Sequence, residues 1–264
     1  MRADAMFARS GNPVSHRLAR MAFIMACVAA LIVAAAGPLH RFAGVPFEAT
    51  FTLFRYGLYV ALAGTALGVA TILPTRPGDR RRGFVAAFLA IAIGVAAAWM
   101  PVTLFLRAQQ SPELNDISTD TANPPPLVAT VPLRRGATNP PAWPGGHAPV
   151  LQRDAYPDIG PVVLAVPPAE AFKRVEAVAA AMGWDIVARV PTEGRLEAPA
   201  GRHRLEAVAA SRWFGFRDDI VVRVRADGSG SRVDIRSKSR DGQTDLGVNA
   251  RRIREFMMRL RSPA

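Results

Sequence analysis

The sequence is short of the residues from which most catalytic and metal centres are built. Its 264 residues include one cysteine and four histidines. A single thiol, Cys27, can close no intramolecular disulfide, so any exported part of the chain must be held together by its core alone. His16, His40, His147 and His203 are scattered, and none has a second His or Cys at ligand spacing, which argues against a zinc site and leaves no metal expected. No nucleophile elbow, phosphate loop or dinucleotide fingerprint occurs, so no cofactor is expected either. Acids are scarce in the first 107 residues, three against eleven Arg. Three stretches there, 21–39, 56–73 and 83–106, hold no Asp, Glu, Lys, Arg or His at all.

What fills those stretches is apolar, and their length decides their meaning. At ~1.5 Å rise per residue, roughly 18 to 24 residues reach across a ~30 Å hydrocarbon core. Residues 1–107 are therefore expected to be a membrane region with three transmembrane helices. Ionisable groups inside a membrane mark ion and proton pathways, and their absence from the spans argues against a channel or pump. Gly64-Thr65-Ala66-Leu67-Gly68 matches GxxxG, a pattern that glycine-bearing apolar helices also produce by chance. Ile24-Met25-Ala26-Cys27 has some likeness to a lipoprotein processing box, but the apolar run continues for a dozen residues beyond the cysteine instead of ending there. Ala34-Ala35-Ala36 offers a cleavage site for a signal peptidase, yet the run is long for a signal core and two further spans follow.

The formal charge of +12 divides unevenly, +8 before residue 108 and +4 after it. Most of the excess is topological signal, because Lys and Arg accumulate on the cytoplasmic side of membrane helices. Arg2, Arg9, Arg17 and Arg20 place the N-terminus inside, and Arg76, Arg80, Arg81 and Arg82 place the second loop inside. The third span then carries the C-terminal part outward. The expectation is a multi-pass inner-membrane protein with a cytoplasmic N-terminus and a periplasmic C-terminal domain, which makes nucleic acid a poor candidate partner and the lipid bilayer the expected one.

Residues 108–160 contain ten prolines, among them Pro124-Pro125-Pro126. Proline removes amide donors and fixes φ, so the segment is expected to run, at least in part, as an extended tether. Regular patterning returns over 161–264. Phe172, Val175, Ala179 and Met182 recur at helical spacing behind Pro168, and Gly183 stops the helix. Two-residue alternation marks strands over 184–190, 195–198, 204–211, 220–225 and around 233–235, with Asp227-Gly228-Ser229-Gly230 turning the last hairpin and a short initial strand near 162–166. Leu246, Ala250, Ile253, Phe256, Met257 and Leu260 share one face of a closing helix, leaving Arg251, Arg252, Arg254, Glu255 and Arg259 for the other, and Thr244 or Asp245 can cap it. The fold class is therefore three transmembrane α-helices followed by an α+β domain, a two-layer antiparallel sheet under two helices of helix-grip type.

Three segments read together resemble a known family. They are Asn115-Asp116-Ile117-Ser118-Thr119-Asp120 ahead of Pro124-Pro125, then Phe216-Arg217-Asp218-Asp219-Ile220-Val221-Val222-Arg223-Val224, then Ser231-Arg232-Val233-Asp234-Ile235-Arg236-Ser237 running on through Ser239-Arg240, Asp245-Leu246-Gly247, Asn249 and Arg252-Ile253. The set is similar to the bacterial and plastid family called domain of unknown function fourteen ninety-nine, over roughly residues 112–260, with the three-span front end as an extension. The resemblance implies no activity, substrate or cofactor. It does draw Asn115–Asp120 into the domain.

Candidate chemistry is confined to a few polar positions. Asp218 and Asp219 open a strand and point to opposite faces, so the two carboxylates cannot readily act together on one atom; a turn or ion-pair role beside Arg217 or Arg223 is favoured over an acid/base or metal role. Alternation places Arg236, Lys238 and Arg240 on one face, where three cations can hold an anion, although a solvated face balanced by Asp234 is the favoured alternative. Asn249 joins them as a candidate ligand-binding residue. Gly247, at the start of the last helix, is either a neutral choice or a point of close backbone approach. The expected function is a non-catalytic binding or assembly module for an envelope lipid, glycan or protein. The competing expectation is an envelope hydrolase using Asp219, Ser237, Asp245 and Arg252.

Overall fold

The computed structural model describes residues 13–75, 81–190 and 202–262. The strand expected over 195–198 lies outside them, as do Arg2, Arg9, Arg76 and Arg80. The chain divides into two compact units, one of residues 1–107 with Trp213–Gly215, the other of residues 108–212 and 216–264.

The first unit holds three helices, α1 (Pro13–Ala43), α2 (Phe47–Ile72) and α3 (Arg81–Gln110), of 31, 26 and 30 residues. All three are long and apolar enough to cross a membrane. Each runs past its apolar stretch, so that Arg17 and Arg20, His40 and Arg41, Glu48 and Arg55, and Arg82 and Arg107 fall near helix ends. The inward stripe is built from small residues: Ala19, Ala22, Ala26 and Ala29 on α1, and Gly57, Ala61, Gly64 and Gly68 on α2. The GxxxG pair is part of this packing. A methyl group on Gly64 would come within 3.1 Å of the Ala26 amide nitrogen, and one on Gly68 within 3.1 Å of the Ala87 carbonyl oxygen of α3. Backbones approach that closely only where side chains are absent.

The second unit is an antiparallel α+β domain. Its strands are β1 (Asp116–Ser118), β2 (Val162–Leu164), β3 (Asp185–Val190), β4 (Arg202–Ala210), β5 (Arg217–Asp227) and β6 (Gly230–Ser239). They are ordered β1-β6-β5-β4-β3, and β2 pairs with β6 beside β1. Helices α4 (Ala148–Ala155), α5 (Pro168–Ala181) and α6 (Val248–Arg261) complete the unit. Leu205, Ala207, Ile220, Val222, Val224, Val233 and Ile235 face α5 and α6 and meet Phe172, Val175, Ile253, Phe256 and Leu260 in a single core. Burial of such side chains, at roughly 25 cal/mol per Å², is the main force holding this layer.

The other face of the sheet departs from expectation. A sheet covered on one side should show water a polar second face. Here that face is polar but buried: Glu206, Asp219 and Asp234 are fully enclosed, and Arg236 and Lys238 are each 2 % exposed. The cover is the proline-rich segment. Expected to be at least partly a tether, it contributes β1, a 3-10 turn at Val131–Arg134 and α4, and it lies across the sheet as a strap. The domain thus has three layers: helices, sheet and strap.

Candidate functional site

Period-two alternation sorts the polar residues of β5 and β6 into two clusters on opposite faces. The register sets Asp219 opposite Lys238 and Ile220 opposite Ser237, so Asp219 belongs to the strap face and Ser237 to the helix face. Of the residues offered for a hydrolase, Ser237, Asp245 and Arg252 do converge, together with Asn249. Asp219 does not, and its neighbour Asp218 takes the place beside them.

The helix-face cluster is assembled at the start of α6. Leu246 and Gly247 both adopt left-handed backbone, at φ 54 and 72. This double left turn folds the chain back on Asp245, whose carboxylate accepts from the amides of Gly247 at 2.8 Å and Asn249 at 2.6 Å. Handedness, not proximity, therefore explains the glycine: the nearest atom to a methyl group there would be the Tyr156 hydroxyl, an ordinary 3.5 Å away. Burial pushes the Asp245 carboxyl above its usual range, against those two amides, with the Asp218 charge adding to the rise. The Asn249 side chain then bridges helix to sheet. Its Oδ1 accepts from Ser237 Oγ at 2.6 Å, and its Nδ2 donates to Ser239 Oγ at 3.0 Å and to the Asn115 carbonyl at 3.2 Å. Arg252 donates to Ser237 Oγ at 2.9 Å, to Asn249 Oδ1 at 2.6 Å and to Asp218 at 2.6 Å. Helical periodicity alone assigned Arg252 to the solvent side of α6. The structure turns it toward the sheet because Asp218 waits at the strand end.

The chemistry of this cluster is closed on itself. A serine nucleophile needs a base to take its proton, and Ser237 gives that proton to an amide carbonyl while its lone pair accepts an arginine. Both oxygens of Asp245 are engaged by backbone amides.

The strap-face cluster corrects the solvated reading of Arg236, Lys238 and Arg240. They share a face as alternation requires, but they face the strap rather than solvent. Arg236 forks onto Asp116 at 2.8 and 2.7 Å and donates to the carbonyls of Pro125 and Pro141. Lys238 donates to Asp116 at 2.8 Å and to the Ala142 carbonyl at 3.1 Å. Burial draws its ammonium below the ordinary lysine range, Asp116 opposing the shift and Arg236 and Arg134 adding to it. Arg240 pairs with Asp219 at 2.7 Å and donates to the Leu133 carbonyl. Arg134, from the strap itself, also pairs with Asp219 and donates to the Asn139 carbonyl. The expected partners of the acid pair, Arg217 and Arg223, are displaced by Arg252 for Asp218 and by Arg134 and Arg240 for Asp219. Arg223 instead joins Arg225 and Arg232 around Asp120 and Asp234.

A physical reason underlies this pattern. Proline-rich extended chain makes no internal hydrogen bonds and leaves its carbonyls in need of donors. Covering a sheet with it strands those carbonyls unless the sheet supplies cations, and Arg236, Lys238 and Arg240 supply them. Sequence reading missed three further members, Arg134, Gln152 and Glu206. Gln152 stands in for a strand neighbour of β1, accepting from the Ser118 amide at 2.9 Å and donating to the Ser118 carbonyl at 2.7 Å. Glu206 receives the amides of Val128 and Thr130 at 2.9 and 3.1 Å. The only sequence signal for Glu206 was an acid in a strand of apolar neighbours. Among the described residues no three His, Cys, Asp or Glu side chains stand close enough to share a metal ion.

Residues 116–260 match the family described as Protein of unknown function (DUF1499). The matched range begins at β1 and ends at the last turn of α6, and so takes in both clusters and the strap between them. No curated protein and no solved structure matches the chain.

Proposed function

We propose, from the premise that this chain belongs to the DUF1499 family of unknown function, that it is an inner-membrane protein whose soluble domain serves as a non-catalytic binding or assembly module. The domain lies in the periplasm and acts on an envelope lipid, glycan or protein. The three apolar helices support the membrane setting, and the arginine-rich flanks of those helices support the orientation. The observation that carries the non-catalytic reading is the closure of the helix-face cluster: Ser237, Asn249, Arg252, Asp218 and Asp245 spend their hydrogen-bonding capacity on one another and on backbone. Groups committed in this way fix a surface rather than turn over a substrate.

A hydrolase remains the competing reading, favoured by one observation, the convergence of Ser237, Asp245 and Arg252. Full-length protein in detergent, immobilised and exposed to fractionated envelope lipids, lipid-linked glycans and envelope proteins, separates the two. Retention of one class without chemical change supports the module. Turnover that disappears in Ser237→Ala or Arg252→Ala while retention survives supports the enzyme, and absence of both retention and turnover contradicts the proposal.

A further inference from the structure

Residues 1–20 and 74–82, at the starts of α1 and α3, carry eight Arg and two Asp, a surplus of positive charge that the sequence nearby does not balance. The two helices begin side by side, since a methyl group on Gly83 of α3 would collide with the His16 imidazole of α1. They stay close further along, where Ala22 and Ala26 of α1 and Ala90 of α3 form one buried cluster with Phe23 packed against it. Beside this contact a groove of about 300 Å³ runs between the two helices, lined by Phe23, Arg82, Val85, Ala86 and Leu89.

The lining is apolar but for one cation. Arg82 precedes Val85 by three residues and Arg20 precedes Phe23 by three, so each guanidinium stands about one turn nearer the helix start than an apolar wall of the groove. From Arg82 to Leu89 the wall runs ~10 Å along α3 at ~1.5 Å per residue. Among the described residues Glu48 is the one acid of the three helices, and it stands in the first turn of α2, at the opposite end of α1 from Arg20. The groove thus joins an apolar trough to cations that have no described carboxylate to pair with. An acyl chain fits the trough, a phosphate fits the guanidinium fork, and basic pockets between membrane helices take anionic headgroups for these two reasons together.

We propose that this groove holds one anionic phospholipid, with an acyl chain along Phe23, Val85, Ala86 and Leu89 and the phosphodiester against Arg82 and Arg20. An ordinary lipid-facing helix surface accepts any headgroup, whereas cations without counter-charge select a lipid of net negative charge. The inference rests on the membrane reading above and deepens it by naming a lipid class and its seat among the helices.

Full-length protein in a non-ionic detergent is titrated with phosphatidylglycerol or with phosphatidylethanolamine of identical acyl chains, and bound lipids are counted by native mass spectrometry. The expected result is one phosphatidylglycerol held about fivefold or more tighter than phosphatidylethanolamine. Arg82→Gln should weaken phosphatidylglycerol about fivefold and leave phosphatidylethanolamine unchanged, and Arg82→Lys should keep the preference. Arg55→Gln, on α2 and outside the groove, should change neither lipid. Val85 is 49 % exposed, so Val85→Trp has room to fold and should fill the groove and release the bound lipid. Equal retention of the two lipids overturns the inference, as does a loss in Arg55→Gln as large as that in Arg82→Gln. So does undiminished phosphatidylglycerol binding in Val85→Trp, which would put the lipid elsewhere on the helices. A chain that stays monodisperse without detergent overturns the membrane reading as well, which distinguishes that failure from the others.

Discussion

Removing Asp219 should cost the domain more than breaking a surface ion pair, because it would strand buried cations. Asp219 is fully buried between Arg134 and Arg240, and exposed pairs such as Arg174–Glu170 add little by comparison. Asp219→Ala should leave two cations enclosed without a counter-charge and lower stability by about 3–5 kcal/mol, read as a drop in the melting temperature of the detergent-solubilised protein. Ser237→Ala removes one hydroxyl from a network that keeps its other bonds and should cost only about 1 kcal/mol by the same measurement. Asp245 gives a pH signature. Its folded carboxyl binds its proton above the ordinary carboxylate value because it is buried. Across the window between those two values the folded chain holds more protons than the unfolded one, so this residue's contribution to stability falls as pH rises. Asp245→Asn should flatten that slope, and a slope unchanged from wild type would contradict the assignment. At this scale the sequence showed which face each residue of β6 takes, since alternation separates Arg236, Lys238 and Arg240 from Ser237 and Ser239. It could not show their partners, because Asp116 lies more than a hundred positions before Lys238 and nothing local announces the pairing.

At the level of elements, the strap is held by side chains acting as surrogate backbone. Gln152 completes β1 as a missing strand would, and Glu206 gathers two amides of a segment too rich in proline to form a ladder. Hydrogen exchange should find the amides of Ser118, Val128 and Thr130 protected to nearly the same degree as those of β5, although only the first lies in regular structure. Gln152→Ala should cost about 1–3 kcal/mol, because it leaves the Ser118 amide and carbonyl buried without partners, and it should release protection at Ser118 first. The three apolar helices, α5, the β5–β6 hairpin and the closing helix were legible because each is longer than its own period. The strap was not. β1 is three residues long, too short for alternation to register, and prolines suggest an open tether until the cations beneath them are known. Only the resemblance carried by Asn115–Asp120 drew that segment into the domain.

For the whole molecule, the legible parts were the fold class and the family. Uncharged length marks three helices, alternation marks a sheet, and the resemblance marks a family, now matched over residues 116–260. The polar sites were less legible because their members come from opposite ends of the domain and meet only through the register of β1 on β6. The same physics joins the two scales. A domain without disulfides is held by an apolar layer on one face of the sheet and a compensated charge layer on the other. The most direct test of this account is the side of the membrane on which that domain stands, read by paired fusions after Ala264 to alkaline phosphatase and to a green fluorescent protein. An active phosphatase and a dark fluorescent protein are the predicted result; a bright fluorescent protein with inactive phosphatase would contradict it.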